Sequence, residues 1–411
     1  MPKTTRTVRV VLGAELRDVG TLTFESDGRR ETSMFRYSPR WIEDAAGFAI
    51  APGMALAGGR FFASGSGTDR RSALSGVFSD GAPDAWGRGL IRRALPGTLT
   101  EVDYLLAVDD GTRQGSLRYL DEEGVPLAPA ETPIAVRALP ELRRTIGSHE
   151  LSDADRRMLM RTGGSLGGAR PKASVCDENG RLLVAKFTTR QDTRPVERVE
   201  IATLELATSV GIHAADGRIA LGDSELPVAL IRRFDRAGTD RIHYLSARSF
   251  LGLEPGSTAF YTDIAEALRT YAAKPLQQLA ELYRRILFTI LVANGDDHLK
   301  NHGLLHAGSG RFVLAPAFDV NPEPHRHRHL ETGISELSGN AASLEAALEA
   351  APFFEVRRDQ AAEIATAMAS RIRREWRGRL AVAGLSDAEI RSYEPAFENE
   401  EARWALRSRP R

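Results

Sequence analysis

One long apolar helix limits the folds that are open to this chain. The segment PLQQLAELYRRILFTILVAN (275–294) has apolar residues at helical spacing and on nearly every side. A helix of that kind is buried, either in the core of a large protein or in a membrane. Its longest apolar run, ILFTILVA (286–293), is too short to cross a bilayer. We therefore expect a globular protein, and 411 residues suffice for two or three domains with a sizeable core.

The charge balance and the single cysteine argue against several classes of protein. Lys+Arg and Asp+Glu number 55 each, so no net charge draws the chain to nucleic acid or to an anionic membrane. Cys176 has no second cysteine to pair with, which is typical of a reducing compartment. The segment MPKTTRTVRVVLG (1–13) lacks the long apolar stretch of a signal peptide. We expect a cytoplasmic protein without membrane contact.

The secondary-structure pattern changes along the chain. The first 75 residues contain alternating or β-branched runs that predict strands, whereas the chain from about residue 245 onward is mostly helical in pattern. A stretch rich in Pro, Glu and Ala at 121–140 is typical of a connector. We predict an α+β fold with three parts: a β-rich part at 1–135, a mixed part at 136–245 and a helical part at 246–411.

The mixed part contains a glycine-rich segment. A short helix is predicted at 152–161, and GGSLGGARPK (163–172) follows it directly. DENG (177–180) is a turn signal, and RLLVAKFTT (181–189) predicts a strand. We interpret this pattern as a β-hairpin with the glycines at its tip. A helix is predicted next at 194–212, then a strand at 226–236.

The most informative motif is NGDDHLKN (294–301), which directly follows the buried helix. Asp296 and Asn301 are five residues apart, the spacing of the catalytic aspartate and the metal-binding asparagine in protein kinases. The aspartate must lie near the attacking hydroxyl, and the asparagine must supply a neutral oxygen to Mg2+. Asp297 is adjacent and stays open as an alternative base, although the spacing favours Asp296.

Two further positions complete a kinase-like set. Asp319, in FVLAPAFDVNP (312–322), ends a β-like run and could hold the Mg2+ that bridges the phosphates, as the aspartate of the kinase DFG motif does. Lys186 lies on a predicted strand behind the glycine-rich segment, where kinases place the lysine that neutralises the α- and β-phosphates. That lysine needs a carboxylate partner from the next helix. Glu197 and Glu200 are both candidates, and Glu200 lies deeper in the predicted helix.

The glycine-rich segment can bring backbone N–H groups close to phosphate. Four glycines surround Ser165 and leave room for a ligand. The segment lacks the GK[ST] ending of a P-loop, which argues against a P-loop NTPase. Each motif alone has a structural explanation as a turn, a surface charge or a helix cap. Their order and spacing together favour a kinase.

Taken together, five segments resemble the HipA family of serine/threonine-type kinases, the toxins of bacterial toxin–antitoxin systems. The resemblance runs from about residue 10 to residue 330 and is carried by FSDGAPDAWGRGL, SLGGARPKASV, LIRRFDR, NGDDHLKNHGLL and the FD of AFDVNP. It implies a bilobal protein-kinase-like fold with an added N-terminal β-rich subdomain and a mostly helical C-terminal lobe. One departure is Arg232, which stands where the family has a glutamate.

The resemblance also implies roles for individual residues. Asp296 would be the catalytic base with His298 beside it, Asn301 and Asp319 the Mg2+ ligands, and Ser165 the residue that is autophosphorylated. A phosphate on Ser165 should push the loop out of place and turn the kinase off. The implied ATP-binding residues are Gly163, Gly164, Ser165, Gly167, Gly168, Ala169, Lys172, Lys186, Glu200 and Phe234.

The expected activity is ATP- and Mg2+-dependent phosphorylation of a protein. The resemblance implies an aminoacyl-tRNA synthetase as a substrate, a small helix-turn-helix antitoxin of the HipB type as a partner, and DNA contact only through that antitoxin. An alternative is a catalytically weak binding module that acts as a corepressor. A small-molecule phosphotransferase would use the same Asp/Asn/Asp chemistry. The N-terminal module (the β-rich part at 1–135) and Ser165 in the glycine-rich segment argue against that function.

His325, His327 and His329 are interpreted as an exposed loop rather than a metal site.

Overall fold

The computed structural model describes residues 4–66, 72–128, 130–148, 150–163, 168–224, 226–254, 256–324 and 329–407. The chain forms two compact units, and each unit collects three separate stretches of sequence. Unit 1 contains Met1–Phe187, Arg232–Ser257 and Leu304–Arg311, and unit 2 contains Thr188–Ile231, Thr258–Gly303 and Phe312–Arg411. The three-part division at 135/136 and 245/246 stays a prediction.

The strands of the described residues are short, and most of them lie in the first half of the chain. They are β1 (Thr4–Leu12), β2 (Arg17–Ser26), β3 (Arg30–Tyr37), β4 (Phe61–Ser66), β5 (Leu117–Leu120), β6 (Ile134–Ala135), β7 (Lys172–Cys176), β8 (Leu182–Phe187), β9 (Gly217–Ala220), β10 (Val228–Arg232), β11 (Arg236–Ala237), β12 (Asp240–Arg241), β13 (Tyr244–Ser246), β14 (Gly303–His306) and β15 (Phe312–Leu314).

The longer helices lie toward the C-terminal end. The α-helices are α1 (Pro39–Glu43), α2 (Gly76–Ser79), α3 (Ala85–Ala94), α4 (Glu101–Leu106), α5 (Leu139–Ile146), α6 (Asp153–Gly163), α7 (Val196–Ser209), α8 (Ala247–Phe250), α9 (Tyr261–Tyr271), α10 (Pro275–Leu291), α11 (Leu344–Ala350), α12 (Arg358–Val382), α13 (Asp387–Ser392), α14 (Glu394–Phe397) and α15 (Glu400–Arg407). Short 3-10 helices occur at Val136–Ala138, Leu299–Asn301 and Ala351–Phe354.

Unit 1 begins with an antiparallel sheet in the order β4-β3-β2-β1-β5. Strand β2 alternates between buried and partly exposed residues over most of its length, as expected for a strand with one face on the core. Val10 of β1, Leu22 of β2 and Phe35 of β3 are among the fully buried residues of this sheet. The β-rich start that the alternating pattern predicts is therefore confirmed.

The glycine-rich segment of unit 1 is not at the tip of a hairpin, so that prediction was wrong. Strands β7 and β8 do pair as an antiparallel hairpin, but its turn is formed by Asp177 and the residues after it. The Asp177 side chain accepts hydrogen bonds from the backbone N–H groups of Asn179 (2.9 Å) and Arg181 (2.8 Å). This Asx-type turn closes the hairpin. The glycines instead follow α6, which ends at Gly163.

Two histidines of unit 1, one buried and one half-buried, have lowered pKa values. His243 is 3% exposed, and its Nε2 is 2.7 Å from the carbonyl oxygen of Ile50. The His306 ring stacks on Phe48 with 3.8 Å between ring centroids. Burial lowers the pKa of both imidazoles to about 4. Their environment therefore favours the uncharged form.

These histidines should make the protein less stable in mild acid. An unfolded histidine titrates near pH 6.5, so as the pH falls from about 6.5 to about 4 the unfolded chain binds protons that folded His243 does not. For His243 the free energy of unfolding should fall by up to about 1.4 kcal/mol per pH unit in that window. Urea unfolding of the wild type and of His243→Gln between pH 7.5 and pH 4.5 measures this. The variant should show a smaller pH dependence, and equal dependence in both proteins would refute the assignment.

Unit 2 is built on helices. Helix α12 packs against α7 and α15, and α10 packs against α9. Ten residues of α10 are buried, which confirms the predicted buried helix. The predicted helix at 194–212 is confirmed as α7. Among the residues that the structure describes, no helix is both long and apolar enough to cross a membrane.

Candidate functional site

In unit 2 a tight polar loop follows helix α10. The helix ends at Leu291, and Ala293 then takes a left-handed backbone conformation (φ +54°) that turns the chain into the loop. Asn301 donates from Nδ2 to the carbonyl oxygen of Asp296 at 3.0 Å. Because the amide nitrogen is the donor, its Oδ1 can serve as a metal ligand. The side chain of Asn301 is thus fixed directly against the backbone of Asp296.

The two adjacent aspartates of this loop have opposite environments. Asp296 is exposed, whereas Asp297 is 5% exposed and its carboxylate is engaged by neighbouring side chains. Burial alone would raise the pKa of Asp297, but His302 and the hydroxyls of Tyr261 and Thr289 hold it below its usual value. A general base must reach its substrate. This difference favours Asp296 over Asp297 as the base.

His298 lies within the same turn. Its backbone N–H donates to the Asp296 carbonyl at 2.9 Å, and its carbonyl accepts from the Asn301 N–H at 2.8 Å. Its side chain is exposed beside Asp296. The catalytic role of His298 stays a prediction.

Asp319 follows strand β15 and has an unusual backbone. Its φ is +58°, the left-handed region that few residues other than glycine adopt, and such strain clusters at functional sites. Its N–H donates to Oε1 of Glu200 at 3.2 Å, and Glu200 on α7 is only 1% exposed. Of the two predicted glutamates, Glu200 therefore contacts the Asp319 segment. Glu197 is equally buried and accepts from the Thr188 hydroxyl at 2.8 Å.

Two asparagines that sequence reasoning missed connect Asp319 to the loop. Asn321 donates from Nδ2 to Oδ1 of Asp319 at 3.0 Å, and its backbone N–H donates to Oδ1 of Asn294 at 3.1 Å. This chain links Asp319 to the residue two positions before Asp296. No local pattern marks Asn294 or Asn321, because their role depends on contacts between segments that are distant in sequence.

In unit 1 the end of the glycine-rich segment contacts the N-terminal module. Gly168 donates from its N–H to Oδ2 of Asp84 at 2.9 Å, and its carbonyl accepts from the Trp86 N–H at 3.2 Å. Trp86 also donates from Nε1 to the carbonyl of Lys172 at 2.9 Å. Neither Asp84 nor Trp86 was among the residues predicted for the site. Gly164, Ser165 and Gly167 lie outside the described residues.

Two lysines face each other beside this segment. Lys172 on β7 lies directly opposite Lys186 on β8 in the antiparallel pair. Opposed side chains share one face of a sheet, and like charges in that position repel. A Cβ added to Gly168 would lie 2.7 Å from Nζ of Lys172, so this ammonium lies close under the glycine backbone.

The remaining predicted positions are less informative. Phe234 is half-buried, and its ring centroid is 6.2 Å from that of Tyr244. Ala169 is exposed. His325 and His327 lie outside the described residues, whereas His329 is exposed and forms an isolated β-bridge with Ala341. Roles for Phe234 and Ala169 in ATP binding stay predictions.

Two family models and one solved structure match most of the chain. A family model described as "HipA-like C-terminal domain" matches residues 164–376, and one described as "HipA N-terminal domain" matches residues 9–110. A solved structure described as a Shewanella oneidensis MR-1 toxin–antitoxin complex of HipA, HipB and operator DNA is similar to 97% of this chain and 96% of its own chain. The TM-score is 0.70 at 16% sequence identity. This likeness confirms the predicted α+β fold.

Two curated relatives come from Sinorhizobium fredii (strain NBRC 101917 / NGR234). The protein named "Putative kinase Y4mE" is 28% identical over 179 residues, which cover 38% of this chain and 41% of that protein. The protein named "Putative kinase Y4dM" is 31% identical over 155 residues, which cover 34% of this chain and 37% of that protein. The matched part of the chain thus spans about two fifths of the length of each relative.

Proposed function

Because this chain belongs to the HipA family, we propose that it is an ATP- and Mg2+-dependent protein kinase that phosphorylates serine or threonine. One observation carries the proposal: the exposed Asp296 lies on a loop whose Asn301 side chain is tied to its backbone at 3.0 Å. The same loop is linked to Asp319 through Asn321 and Asn294. A base and two oxygen ligands held together are what phosphoryl transfer requires.

In the proposed reaction, a serine or threonine hydroxyl of the target attacks the γ-phosphorus of ATP. A new O–P bond forms, the bond from the γ-phosphorus to the β,γ-bridging oxygen breaks, and ADP leaves. Asp296 accepts the hydroxyl proton, which its exposed position allows. Asn301 stabilises the conformation of the loop through its hydrogen bond to the Asp296 carbonyl.

The donor set fits Mg2+. This ion prefers hard oxygen ligands and usually takes one or two protein carboxylates together with phosphate oxygens and water. The Asp319 carboxylate and the Asn301 amide oxygen would supply the protein ligands. Asn321, which donates to the Asp319 carboxylate at 3.0 Å, would orient it. When bound, the metal neutralises charge on the phosphate oxygens.

The two opposed lysines fit the triphosphate. Lys172 and Lys186 lie on one face of the β7–β8 hairpin, and Lys172 is close to Gly168. We assign both to the α- and β-phosphates, together with backbone N–H groups of the glycine-rich segment. Ala169 and Phe234 are proposed to contact the nucleotide.

The proposed biological role is that of the toxin in a toxin–antitoxin pair. The similar Shewanella structure contains HipB and operator DNA, which supports a HipB-like antitoxin as partner and DNA contact through that partner. Phosphorylation of a protein such as an aminoacyl-tRNA synthetase in the cytoplasm would inhibit translation. Autophosphorylation of Ser165 would limit the activity, because a phosphate adds negative charge to a segment that must accept ATP.

Phosphate transfer from labelled ATP tests the proposal. Purified protein with Mg2+ should label itself or a protein in a cell lysate, and EDTA should abolish the label. Self-labelling should map to Ser165 by mass spectrometry and disappear in Ser165→Ala. Absence of label, together with no rise in melting temperature on adding Mg2+ and ATP, would favour the corepressor alternative.

A further inference from the structure

A buried carboxylate with no role in the proposed chemistry lies next to the predicted base. Asp297 is 5% exposed, and a charge in that position is costly unless it is hydrogen-bonded. Its Oδ2 accepts from the Tyr261 hydroxyl and from Oγ1 of Thr289 at 3.2 Å. The same oxygen lies 3.2 Å from Nε2 of His302. Three side chains therefore converge on a single carboxylate oxygen.

The three partners come from three different places in unit 2. Tyr261 is the first residue of α9, Thr289 lies near the end of α10, and His302 directly follows Asn301. The ring of Tyr261 also packs against His302, with 5.5 Å between centroids and an interplanar angle of 87°. Burial and the Asp297 carboxylate raise the pKa of Tyr261 well above its usual value, so this phenol stays a hydrogen-bond donor.

This arrangement controls both ends of the candidate catalytic loop. Asp297 is covalently next to the base Asp296, and His302 is covalently next to the metal ligand Asn301. The contact between Asp297 and His302 therefore connects the neighbour of the base to the neighbour of the ligand. A small cavity lined by Asp297, Asn301 and His302 lies beside the contact and has a volume of about 20 Å3. That space is enough for about one water molecule.

We propose that Asp297, held by Tyr261 and paired with His302, is a positioning residue that sets the distance between Asp296 and Asn301. This inference rests on the proposed kinase function and deepens it. Asp297 touches neither ATP nor the target hydroxyl in this scheme. It acts by keeping the loop in the geometry that phosphoryl transfer needs, and small displacements of reacting groups have large effects on rate.

Tyr261→Phe is the most informative variant. Removing Asp297 itself would leave His302 buried without its partner and could unfold the protein, whereas Tyr261→Phe removes only one hydroxyl. The chain offers a matched control in Tyr283, a buried tyrosine of unit 2 whose hydroxyl donates to the Ala347 carbonyl at 2.9 Å. Both variants lose one buried hydrogen bond. Tyr283→Phe should lower the melting temperature by about 2–4 °C, and Tyr261→Phe should lower it more, because the Tyr261 hydroxyl bonds to a carboxylate.

The two variants should differ in catalysis. Tyr261→Phe should lower kcat by about 10- to 100-fold and raise the Mg2+ concentration for half-maximal rate, with ATP binding in EDTA unchanged. Tyr283→Phe should keep the wild-type kcat. A second measurement does not need turnover and uses AMP-PNP, a non-hydrolysable ATP analogue. AMP-PNP should raise the melting temperature more with Mg2+ than without it, and this difference should be smaller in Tyr261→Phe than in the wild type or Tyr283→Phe.

Equal kcat and equal Mg2+-dependent stabilisation in the two variants would overturn the inference. That result is expected if the Tyr261 hydroxyl has only a structural role. The failure of the proposed function has a different signature. In that case the wild type itself would transfer no phosphate and gain no stability from Mg2+ and AMP-PNP. The positioning role would then be refuted as well, since Asp297 would have no active loop to position.

Discussion

Replacing Asp296 with asparagine should lower kcat by about 10²–10⁴-fold, the usual contribution of a positioned general base. Asparagine has nearly the same size, and the backbone carbonyl that accepts from Asn301 remains in place. The folded structure and the affinity for ATP should therefore be almost unchanged. What is lost is the ability to accept the proton of the attacking hydroxyl.

Phosphate transfer measured at saturating ATP and Mg2+ checks this expectation. Asp359→Asn is a suitable control, because Asp359 is an exposed aspartate of unit 2 at the start of α12, and the same chemical change there should leave kcat unaltered. A wild-type rate in Asp296→Asn would remove Asp296 from the mechanism.

Replacing Asp235 with asparagine should lower the free energy of unfolding by about 3–5 kcal/mol, the range found when one partner of a buried ion pair is removed. Asp235 is 2% exposed in unit 1. Its carboxylate accepts from Nε of Arg233 at 2.7 Å, from Nη1 of Arg236 at 2.8 Å and from the Gly115 N–H at 2.7 Å. The variant would leave two buried guanidinium groups without their counter-charge.

The two arginines also lower the pKa of the Asp235 carboxyl group. Burial alone would raise the pKa of Asp235, but Arg233 and Arg236 outweigh it and hold the pKa well below its usual range. Asp235 therefore stays charged when the protein is folded. Arg233 also donates to the Thr112 carbonyl at 2.8 Å, so the pair connects the RRFDR segment to the N-terminal module within unit 1.

Urea unfolding at neutral pH measures the effect. The matched control is Asp153→Asn, which breaks an exposed pair of the same unit between Asp153 and Arg156 at 3.4 Å. Exposed pairs contribute only about 0–1 kcal/mol, so the control should change stability little. If Asp235→Asn also lowered the free energy of unfolding by less than about 1 kcal/mol, the buried arginines would have other partners. The predicted contribution of Asp235 to stability would then be wrong.

Sequence patterns predicted the local features well. Helix α10 follows from apolar residues at helical spacing, and the loop after it from its polar composition. The Asp296–Asn301 spacing needed no tertiary information, because both residues belong to one short loop. The first sheet was predictable for the same reason, since alternation along β2 depends only on neighbouring residues.

The features that sequence patterns missed depend on contacts between distant segments. Asn294 and Asn321 meet across 27 positions, and Tyr261 and Asp297 across 36. Nothing near Tyr261 in the sequence indicates that a carboxylate lies beside it. The two units are also built from interleaved stretches, which local periodicity does not reveal. The glycine-rich segment was misplaced because the Asx turn at Asp177 competes with it as the hairpin turn.

A crystal structure with Mn2+ in place of Mg2+ and with AMP-PNP tests the central claim most directly. Anomalous scattering would locate the metal without ambiguity. The proposed function predicts a metal at about 2.0–2.3 Å from Oδ1 of Asn301 and from the Asp319 carboxylate, with phosphate oxygens completing its coordination. A metal bound elsewhere, or a nucleotide bound without contact to either residue, would contradict it.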